Sequence, residues 1–200
     1  MVDHVRDVVA VVPIRDFQGM TRLAPILSSR ERSALAKTLA ERVVRATAEA
    51  GLRTLIVTAA DDVWRWAVGR GLSVCDDPGS GLSDAAATGV ACGGDKPWMV
   101  VHADLPLVTS SAIAGVAEAA ISSTVIVPSH DGGTTVICGY GRFHFSYGTG
   151  SFHRHLAANP RATVLVSREL SIDIDTPEHL ASFPALTRTH YPARHGGEPR

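Results

Sequence analysis

The sequence predicts an α/β fold with a mostly parallel mixed sheet and helices on both faces. Short, wholly apolar runs at residues 8–13 and 99–101 are typical of central strands that are covered on both sides. Helical patterns lie between the apolar runs, as right-handed βαβ units require. The length of 200 residues suits one soluble domain whose core is large enough to be stable without a disulfide or a bound metal.

The first strand, residues 8–13, leads into a loop that contains Gly19 and the arginines Arg15 and Arg22. Backbone N–H groups near a glycine, together with guanidinium groups, can hold a phosphate. The loop is not a Walker loop, because the G-K-[ST] sequence is absent. An ordinary solvated connector is the alternative interpretation.

A long amphipathic helix follows, capped by Ser28 or Ser29 and stopped by Gly51. The next predicted elements are a strand at 55–57, a helix at 61–69 and a strand at 72–75. Glycines in the turn at 76–84 allow backbone N–H groups to face a ligand directly. A helix at 85–92, capped by Ser83 or Asp84, would then present its N-terminus to a nucleotide base or phosphate. A plain connector fits this turn equally well.

The strand at 99–101 ends just before Asp104 and Pro106. Ligands of open α/β sheets lie at the carboxyl ends of the strands, and a carboxylate there suits a divalent metal. The alternative, that Asp104 only caps the next turn, is disfavoured by a second acidic spot at Asp173 and Asp175. Those two residues belong to a predicted final strand at 171–174. Their side chains are expected on opposite faces, so that only one meets the metal directly.

Beyond a helix that starts at Ser110 or Ser111 and a strand at 124–127, the pattern changes. Two turns rich in glycine and hydroxyl groups, at 131–135 and 143–151, flank a strand at 136–138. Their N–H and O–H donors suit a small phosphorylated acid. A short helix then carries His153 and His155, which are expected on the surface and too poorly aligned to share a metal. Thr176 and Pro177 begin a last helix.

Composition excludes several classes of partner. A net charge of −1 gives no broad basic face for nucleic acid, and the apolar runs are too short to span a membrane. The first four residues show no signal segment before the first strand. The three cysteines, Cys75, Cys92 and Cys138, have neither metal-binding nor redox spacing. They are therefore interpreted as buried, reduced thiols of a cytoplasmic protein.

Several motifs together resemble one family. The stretches are VPIRDFQGMTRLAPILSSRER, DPGSGLSDA, VHADLPLVT, HDGGTTVI, YGTGSFHRH and IDIDTPEHL. They resemble the 2-phospho-L-lactate guanylyltransferase family of coenzyme F420 biosynthesis, which includes phosphoenolpyruvate guanylyltransferases and is one of the MobA-like nucleotidyltransferase families. The resemblance covers about residues 8–183. It implies a three-layer, Rossmann-like nucleotidyltransferase domain over residues 1–186, and the polar tail at 187–200 is expected to be disordered.

The resemblance implies transfer of GMP from GTP to a phosphorylated three-carbon acid, with Mg²⁺ as cofactor and pyrophosphate as product. The acid would be phosphoenolpyruvate, 2-phospho-L-lactate or 3-phosphoglycerate. The implied metal ligands are Asp104, Asp173 and Asp175, and the implied catalytic residues are Asp104, Arg15 and Arg22. The implied nucleotide-binding residues are Pro13, Arg15, Arg22, Gly81, Leu82, Ser83 and Ala103. The implied acceptor-binding residues are Thr134, Gly148 and Ser151. Relatives are often dimers, which leaves a homodimer open.

The chain departs from the family at three positions. The family usually has lysine at the positions of Arg15 and Met20, and asparagine at Ser83. These changes affect the charge on the triphosphate side and the choice of base. Two other functions therefore stay open: a nucleotidyltransferase with another base or acceptor, such as a molybdopterin cofactor, and a GTP-binding protein without turnover.

Overall fold

The computed structural model describes residues 7–188 and contains one seven-stranded sheet. The strands are Val9–Pro13 (β1), Arg53–Thr58 (β2), Ser73–Asp76 (β3), Trp98–Val101 (β4), Val125–Pro128 (β5), Thr134–Gly139 (β6) and Thr163–Val164 (β7). Their order across the sheet is β3-β2-β1-β4-β6-β5-β7. Strand β6 runs antiparallel to β4 and β5, whereas the other pairs are parallel. The predicted mixed, mostly parallel sheet is confirmed.

Eight α-helices accompany the sheet within the described residues. They are Ser29–Glu49 (α1), Asp61–Val68 (α2), Leu82–Gly93 (α3), Ser110–Ala119 (α4), Ser151–Ala158 (α5), Arg168–Ser171 (α6), Pro177–Ala181 (α7) and Pro184–Arg188 (α8). Ser28 and Glu31 form a capping box at the start of α1, and the Thr176 hydroxyl accepts from the His179 N–H at the start of α7. None of these helices has the length and apolarity that crossing a membrane demands.

The helices form a layer on each face of the sheet. Alternate residues of β1 face opposite sides, because side chains alternate along a strand. Ala10 and Val12 pack into the core that α1, α2 and α4 cover, whereas Val9 and Val11 pack into the core under α3. This arrangement is the predicted three-layer fold.

Helix α3 lies unusually close to the sheet at Gly89. A Cβ atom on Gly89 would lie 2.3 Å from Cγ1 of Val11 and 2.6 Å from Cγ2 of Val57. A side chain at this position would therefore collide with β1 and β2. The close contact fixes the helix over the sheet and brings its N-terminus to the edge where the parallel strands end.

Two sequence predictions about strands and cysteines are wrong. The predicted strand at 171–174 is a helical turn followed by extended chain, tied to the sheet region by a hydrogen bond from Ile174 N–H to Asp104 O (3.2 Å). The edge strand β7 takes its place in the sheet. Cys75 and Cys92 form a disulfide between β3 and α3, and Cys138 is a free, buried thiol. Of the predicted tail at 187–200, residues 187–188 end helix α8, and residues 189–200 lie outside the described residues.

Candidate active site

A cleft of about 750 Å³ opens at the carboxyl ends of β1 and β4. The loop after β1, the glycine turn before α3, the chain after β4 and the segment at 173–175 form its walls. Eight of the residues predicted for the site line it: Pro13, Arg15, Gly81, Leu82, Ala103, Asp104, Asp173 and Asp175. The sheet edge and the switch in strand order after β1 place the cleft where open α/β sheets bind ligands.

Three carboxylates meet in this cleft although they are about 70 residues apart in the sequence. Asp104 follows β4, and the hydrogen bond from Ile174 N–H to Asp104 O aligns Asp173 and Asp175 beside it. The expectation that Asp173 and Asp175 point to opposite faces is wrong. Residues two apart in extended chain lie on the same side, and Ile174 between them is buried in an apolar cluster.

Burial and repulsion by nearby carboxylates raise the pKa values of Asp104 and Asp173. The pKa of Asp104 is raised to about 6, chiefly by burial, and the charges of Asp175 and Asp131 raise it further against an opposing backbone hydrogen bond. Burial and the charge of Asp104 likewise raise the pKa of Asp173. The cleft therefore holds more negative charge than its own groups neutralise, which favours a bound cation.

The carboxylates fit a divalent cation. Within residues 7–188, Oδ1 of Asp104 and Oδ1 of Asp173 are buried and have no hydrogen-bond partner. Buried polar atoms in native proteins nearly always have a hydrogen-bond partner, so these two oxygens are free to bind a cation, with only a 3.4 Å contact between Oδ1 of Asp173 and Nδ1 of His130. Carboxylate oxygens are the ligands that Mg²⁺ and similar hard cations prefer.

The two predicted arginines occupy different places. Arg15 lies in the cleft wall with its Nε 3.0 Å from Oδ2 of Asp16, and its side chain is 82% exposed. Arg22 is outside the lining and pairs with Asp175. Met20, where the family usually has lysine, lies in the wall with a left-handed backbone (φ 55°). The two arginine charges therefore lie at different places: Arg15 is at the cleft wall, and Arg22 is paired with the carboxylate of Asp175.

The glycine turn before α3 contributes backbone to the cleft, but the Ser83 side chain does not face it. Gly79 and Gly81 have positive φ, which lets the turn fold back along the cleft. The Ser83 hydroxyl accepts the backbone N–H of Tyr147 at 2.9 Å. Ser83 therefore joins the glycine turn before α3 to the turn at 143–151, and its side chain is not part of the cleft wall where it was predicted to meet a base.

The two predicted acceptor turns meet beside the cleft. Phe152 N–H donates to Gly132 O at 3.3 Å, which joins the turn at 131–133 to the start of α5. Gly148, in the second turn, has a φ of 117° and accepts the Ser151 N–H through its carbonyl. Because β6 is antiparallel to β4, its first residues lie beside the last residues of β4, and His102 N–H donates to Thr135 O at 3.0 Å.

A buried hydrogen-bond network orders Thr134 and Ser151. The Ser151 hydroxyl donates to Oγ1 of Thr134 at 3.3 Å, and Nδ1 of His155 lies 3.0 Å from the same oxygen. The Ser146 N–H donates to Nε2 of His155, so the proton of the neutral ring must be on Nδ1. Both acceptor positions of Thr134 Oγ1 are thus used, and its own hydrogen is left for a third partner.

The expectation that His155 lies on the surface is wrong, whereas His153 is exposed as predicted. His155 is fully buried, and its pKa is lowered to about 4 by burial first and by the charge of Arg154 second. Nothing in the sequence of this short helix distinguishes a buried histidine from an exposed one.

Two further residues of the site also escaped the sequence interpretation. His102 lies in the cleft wall next to Asp104, and burial lowers its pKa although Asp173 and Asp131 oppose that shift. Asp131 accepts the Gly133 N–H at 2.9 Å, and its pKa is lowered, chiefly by the Ser129 hydroxyl. The sequence of this polar turn indicated N–H and O–H donors for an acid, but it did not indicate that the charge of Asp131 acts on Asp104.

Comparisons with known proteins agree with this geometry. A family profile described as "Guanylyl transferase CofC like" matches residues 8–184. The chain is 34% identical over 177 residues to the 2-phospho-L-lactate guanylyltransferase of Halomicrobium mukohataei, covering 86% of this chain and 82% of that protein. It is 32% identical over 201 residues to the phosphoenolpyruvate guanylyltransferase of Rubrobacter xylanophilus, covering 94% of this chain and 98% of that protein.

Solved structures share the fold at low sequence identity. A nucleotidyl transferase from Methanothermobacter thermautotroptrophicus superposes with a TM-score of 0.63 at 18% identity, covering 91% of this chain and 98% of that one. A manganese complex of Rv0371C from Mycobacterium tuberculosis H37Rv superposes with a TM-score of 0.58 at 14% identity, covering 88% of this chain and 97% of that one. The chain therefore shares its fold with these proteins.

Proposed function

This chain belongs to the family of CofC-like guanylyl transferases, and we propose that it transfers GMP from GTP to a phosphorylated three-carbon acid in coenzyme F420 biosynthesis. The acid is phosphoenolpyruvate, 2-phospho-L-lactate or 3-phosphoglycerate. The names of its relatives, a 2-phospho-L-lactate and a phosphoenolpyruvate guanylyltransferase, support this class of acceptor. The observation that carries the proposal is the meeting of Asp104, Asp173 and Asp175 in one cleft, with two buried carboxylate oxygens that lack a partner.

The reaction joins two anions. An oxygen of the acceptor phosphate attacks the α-phosphorus of GTP, so that one P–O bond forms while the bond to pyrophosphate breaks. A divalent cation such as Mg²⁺, held by Asp104 with Asp173 or Asp175, would supply neutralisation of the charge that develops on the phosphates. The acceptor phosphate is already ionised near neutral pH, so the protein need not supply a general base.

The chain's own residues bind and orient the two substrates. Arg15 at the cleft wall and Arg22, which lies outside the lining but pairs with Asp175, would contact a bound triphosphate, because guanidinium groups suit phosphate oxygens. Backbone N–H groups of the turn at 79–82 would contact the nucleotide. The free hydroxyl hydrogen of Thr134, with Gly148 and Ser151, would bind the acceptor acid. Positioning and electrostatics then carry the rate.

Product analysis tests the proposal. We expect the protein with GTP, Mg²⁺ and one of the three acids to release pyrophosphate and form the corresponding guanylylated acid, detected by mass spectrometry. Asp104→Asn should lower the rate roughly a hundredfold or more, because a carboxylate at the reacting phosphate is lost. Asp95→Asn, which removes the same charge from an exposed turn, should leave the rate unchanged. Full activity of Asp104→Asn would contradict the metal assignment.

The choice of base needs its own measurement. The Ser83 hydroxyl is engaged by the Tyr147 N–H, so discrimination among bases must come from backbone and shape around the turn at 79–82. The same assay with ATP, CTP and UTP should give little product relative to GTP. A higher rate with another nucleotide would favour a nucleotidyltransferase of different base specificity. Tight GTP binding with no product for any acid would favour a nucleotide-binding protein without turnover.

A further inference from the structure

Two histidines face each other beside the cleft. His130 lies in the turn after β5 and His179 lies on α7, and their Nε2 atoms are 3.0 Å apart. Asp173 completes the group, with its Oδ1 3.4 Å from Nδ1 of His130. One donor atom from each of the three residues can be chosen so that all lie within 4.8 Å of one another. Two imidazoles and a carboxylate therefore converge on a small volume.

The backbone orients the His130 ring. Both the backbone N–H of His130 and its Nδ1 lie near Ser171 O, at 2.8 Å and 3.3 Å. A carbonyl oxygen only accepts, so Nδ1 carries the ring hydrogen and Nε2 presents its lone pair toward His179. Metal-binding histidines typically have this arrangement, in which the nitrogen that does not bind the metal donates to a carbonyl or carboxylate.

The group leaves polar atoms unsatisfied within the described chain. Nδ1 of His179 and Oδ1 of Asp173 are buried without a hydrogen-bond partner. If the ring hydrogen of His179 is on Nδ1, the Nε2 lone pairs of His179 and His130 face each other. If the hydrogen is on Nε2, the buried Nδ1 of His179 has a lone pair without a hydrogen-bond donor. A cation between the two Nε2 atoms would use both facing lone pairs and would let Nδ1 of His179 carry the hydrogen.

We propose that His130, His179 and Asp173 bind a divalent transition-metal cation of the Zn²⁺ class. Imidazole nitrogen suits such ions, whereas Mg²⁺ prefers oxygen ligands alone. Ligands of a tetrahedral zinc at roughly 2.0–2.1 Å lie about 3.3 Å from each other, so the two Nε2 atoms need separate by only a few tenths of an ångström. The His130 side chain is 36% exposed, which gives an ion access from solvent.

This site is separate from the proposed nucleotide site but shares one ligand with it. Asp104 belongs only to the carboxylate group of the cleft, and the two histidines belong only to the new site. Asp173 lies between them, with His130 on one side and the charge of Asp104 close enough to raise its pKa on the other. A bound cation would also hold α7 against the turn that leads into Thr134.

Cobalt titration of the full-length chain tests the site. Co²⁺ bound through imidazole and carboxylate in a four- or five-coordinate site absorbs visible light strongly, whereas hexa-aquo Co²⁺ hardly does. Excess Mg²⁺ in the buffer would compete for the carboxylate group of the cleft. We expect about one equivalent of strongly absorbing Co²⁺ per chain, and loss of that absorption when Zn²⁺ is added.

Variants identify the ligands. His130→Ala and the double variant His130→Ala/His179→Ala should weaken Co²⁺ binding by at least about tenfold, since even residues that only support a metal ligand contribute that much. His153→Ala removes an exposed histidine elsewhere and should bind Co²⁺ as the parent protein does. Circular dichroism would confirm that the variants are folded. If the double variant does not fold, the single variant at the exposed His130 still tests the site.

The outcomes separate this site from the proposed function. Asp104→Asn should keep the Co²⁺ absorption even though it loses guanylyl transfer. Absence of the absorption in the parent protein, or its retention in both His130 variants, would overturn the proposal whatever the enzyme assay shows. His4, His190 and His195 remain in every variant, so a loss in the double variant reports on the facing pair alone.

Discussion

At the scale of single residues, the site depends on polar groups whose protonation and direction are fixed by their neighbours. Thr134 receives hydrogen bonds from Ser151 and from Nδ1 of His155, so the lone pairs of its hydroxyl are engaged while its own hydrogen remains to be donated. His155 is held neutral because burial lowers its pKa. A hydroxyl with both lone pairs engaged is a directed donor, which suits recognition of a carboxylate or phosphate oxygen.

Replacing Thr134 by valine tests this directed donor. Valine keeps the branched shape but removes the hydroxyl, so KM for the acceptor acid should rise about tenfold, the loss expected for one hydrogen bond to a charged group. KM for GTP should change little. Thr134→Ser keeps a hydroxyl and should restore most of the acceptor affinity. Equal acceptor KM values for the valine and serine variants would argue against a role of this hydroxyl.

The buried His155 predicts a dependence of stability on pH. Its pKa is about 4 in the folded chain and 6.5 ordinarily, so between these values the unfolded chain binds a proton that the folded chain does not. The free energy of unfolding should therefore fall, through His155, as pH decreases from about 6.5 to about 4. Asp104, whose folded pKa is raised to about 6, acts in the opposite direction over much of this range.

Comparison with His155→Gln isolates this contribution, because Asp104 titrates in both proteins. Urea denaturation at pH 7 and pH 4.5 gives the free energy of unfolding of each. The parent protein should lose more stability between these pH values than the variant does. An equal pH dependence in the two proteins would contradict a neutral, buried His155.

At the scale of elements, helix α3 and the turn before it depend on a close approach and a covalent bond. Gly89 lets the helix lie directly on β1 and β2, and the disulfide joins Cys92 of this helix to Cys75 of β3. Both features hold the segment between the two cysteines, which includes the cleft's glycine turn. The sequence predicted the turn and the helix, but neither of these contacts.

Substituting Gly89 by alanine should be destabilising. The added Cβ would lie well inside contact distance of Val11 and Val57, and overpacking of this kind typically costs about 1–3 kcal/mol. Gly115→Ala is a matched control in α4, because nothing lies within 4 Å of its Cβ position. Alanine there should stabilise the helix by roughly 0.5–1 kcal/mol. Urea denaturation of the two variants should therefore show shifts of opposite sign.

Loss of the disulfide should lower the free energy of unfolding by about 3 kcal/mol, the value expected for a closed loop of this size. The two cysteines are 17 residues apart. Denaturation of Cys75→Ser/Cys92→Ser measures the effect. Dithiothreitol should destabilise the parent protein to a similar extent and should leave the double variant unchanged. An unaltered parent transition in reductant would show that the bond does not contribute.

Elements with local signals were predictable, whereas those defined by distant contacts were not. The Ser28 cap of α1, the Pro177 start of α7 and the apolar run of β1 are encoded by adjacent residues, and the structure has each of them. The strand expected at 171–174 was wrong, because a buried Ile174 between polar residues fits extended chain packed on α1 as well as a sheet strand. The edge strand β7 has two exposed residues and no apolar alternation to reveal it.

At the scale of the whole molecule, ligand binding and folding are linked. The cleft is formed by the loop after β1, the chain after β4 and the segment at 173–175, which are distant in sequence. Unfolding must therefore dismantle the site, and any ligand bound only by the folded chain stabilises it. The position of Asp104 was predictable because strand ends gather at one edge of a sheet. Asp173 and Asp175 lie in extended chain outside the sheet, and their placement beside Asp104, like the partners of Asp175 and Ser83, depends on packing between distant segments.

GTP with Mg²⁺, at a free concentration 100 times the dissociation constant, should raise the free energy of unfolding by about 2.7 kcal/mol. Thermal unfolding with and without the ligands measures this as an increase in Tm. In Asp104→Asn the increase caused by adding Mg²⁺ to GTP should be largely lost, because one of the carboxylates is gone. The same Mg²⁺-dependent increase in both proteins would separate Asp104 from the cation.

The reversed direction of β6 divides the sheet into a parallel half and a hairpin. Strands β1 to β4 form a parallel half whose carboxyl ends carry the cleft, and the neighbouring hairpin brings its turn to the same edge because β6 runs in the opposite direction. The hairpin meets the parallel half through the backbone ladder between β4 and β6, and its apolar side chains pack into the same two cores as those of β1 and β4. An exchange of this hairpin and the following glycine turn between relatives, with the apolar contacts to β4 kept, would therefore change the proposed acceptor side and leave the proposed nucleotide side as it is.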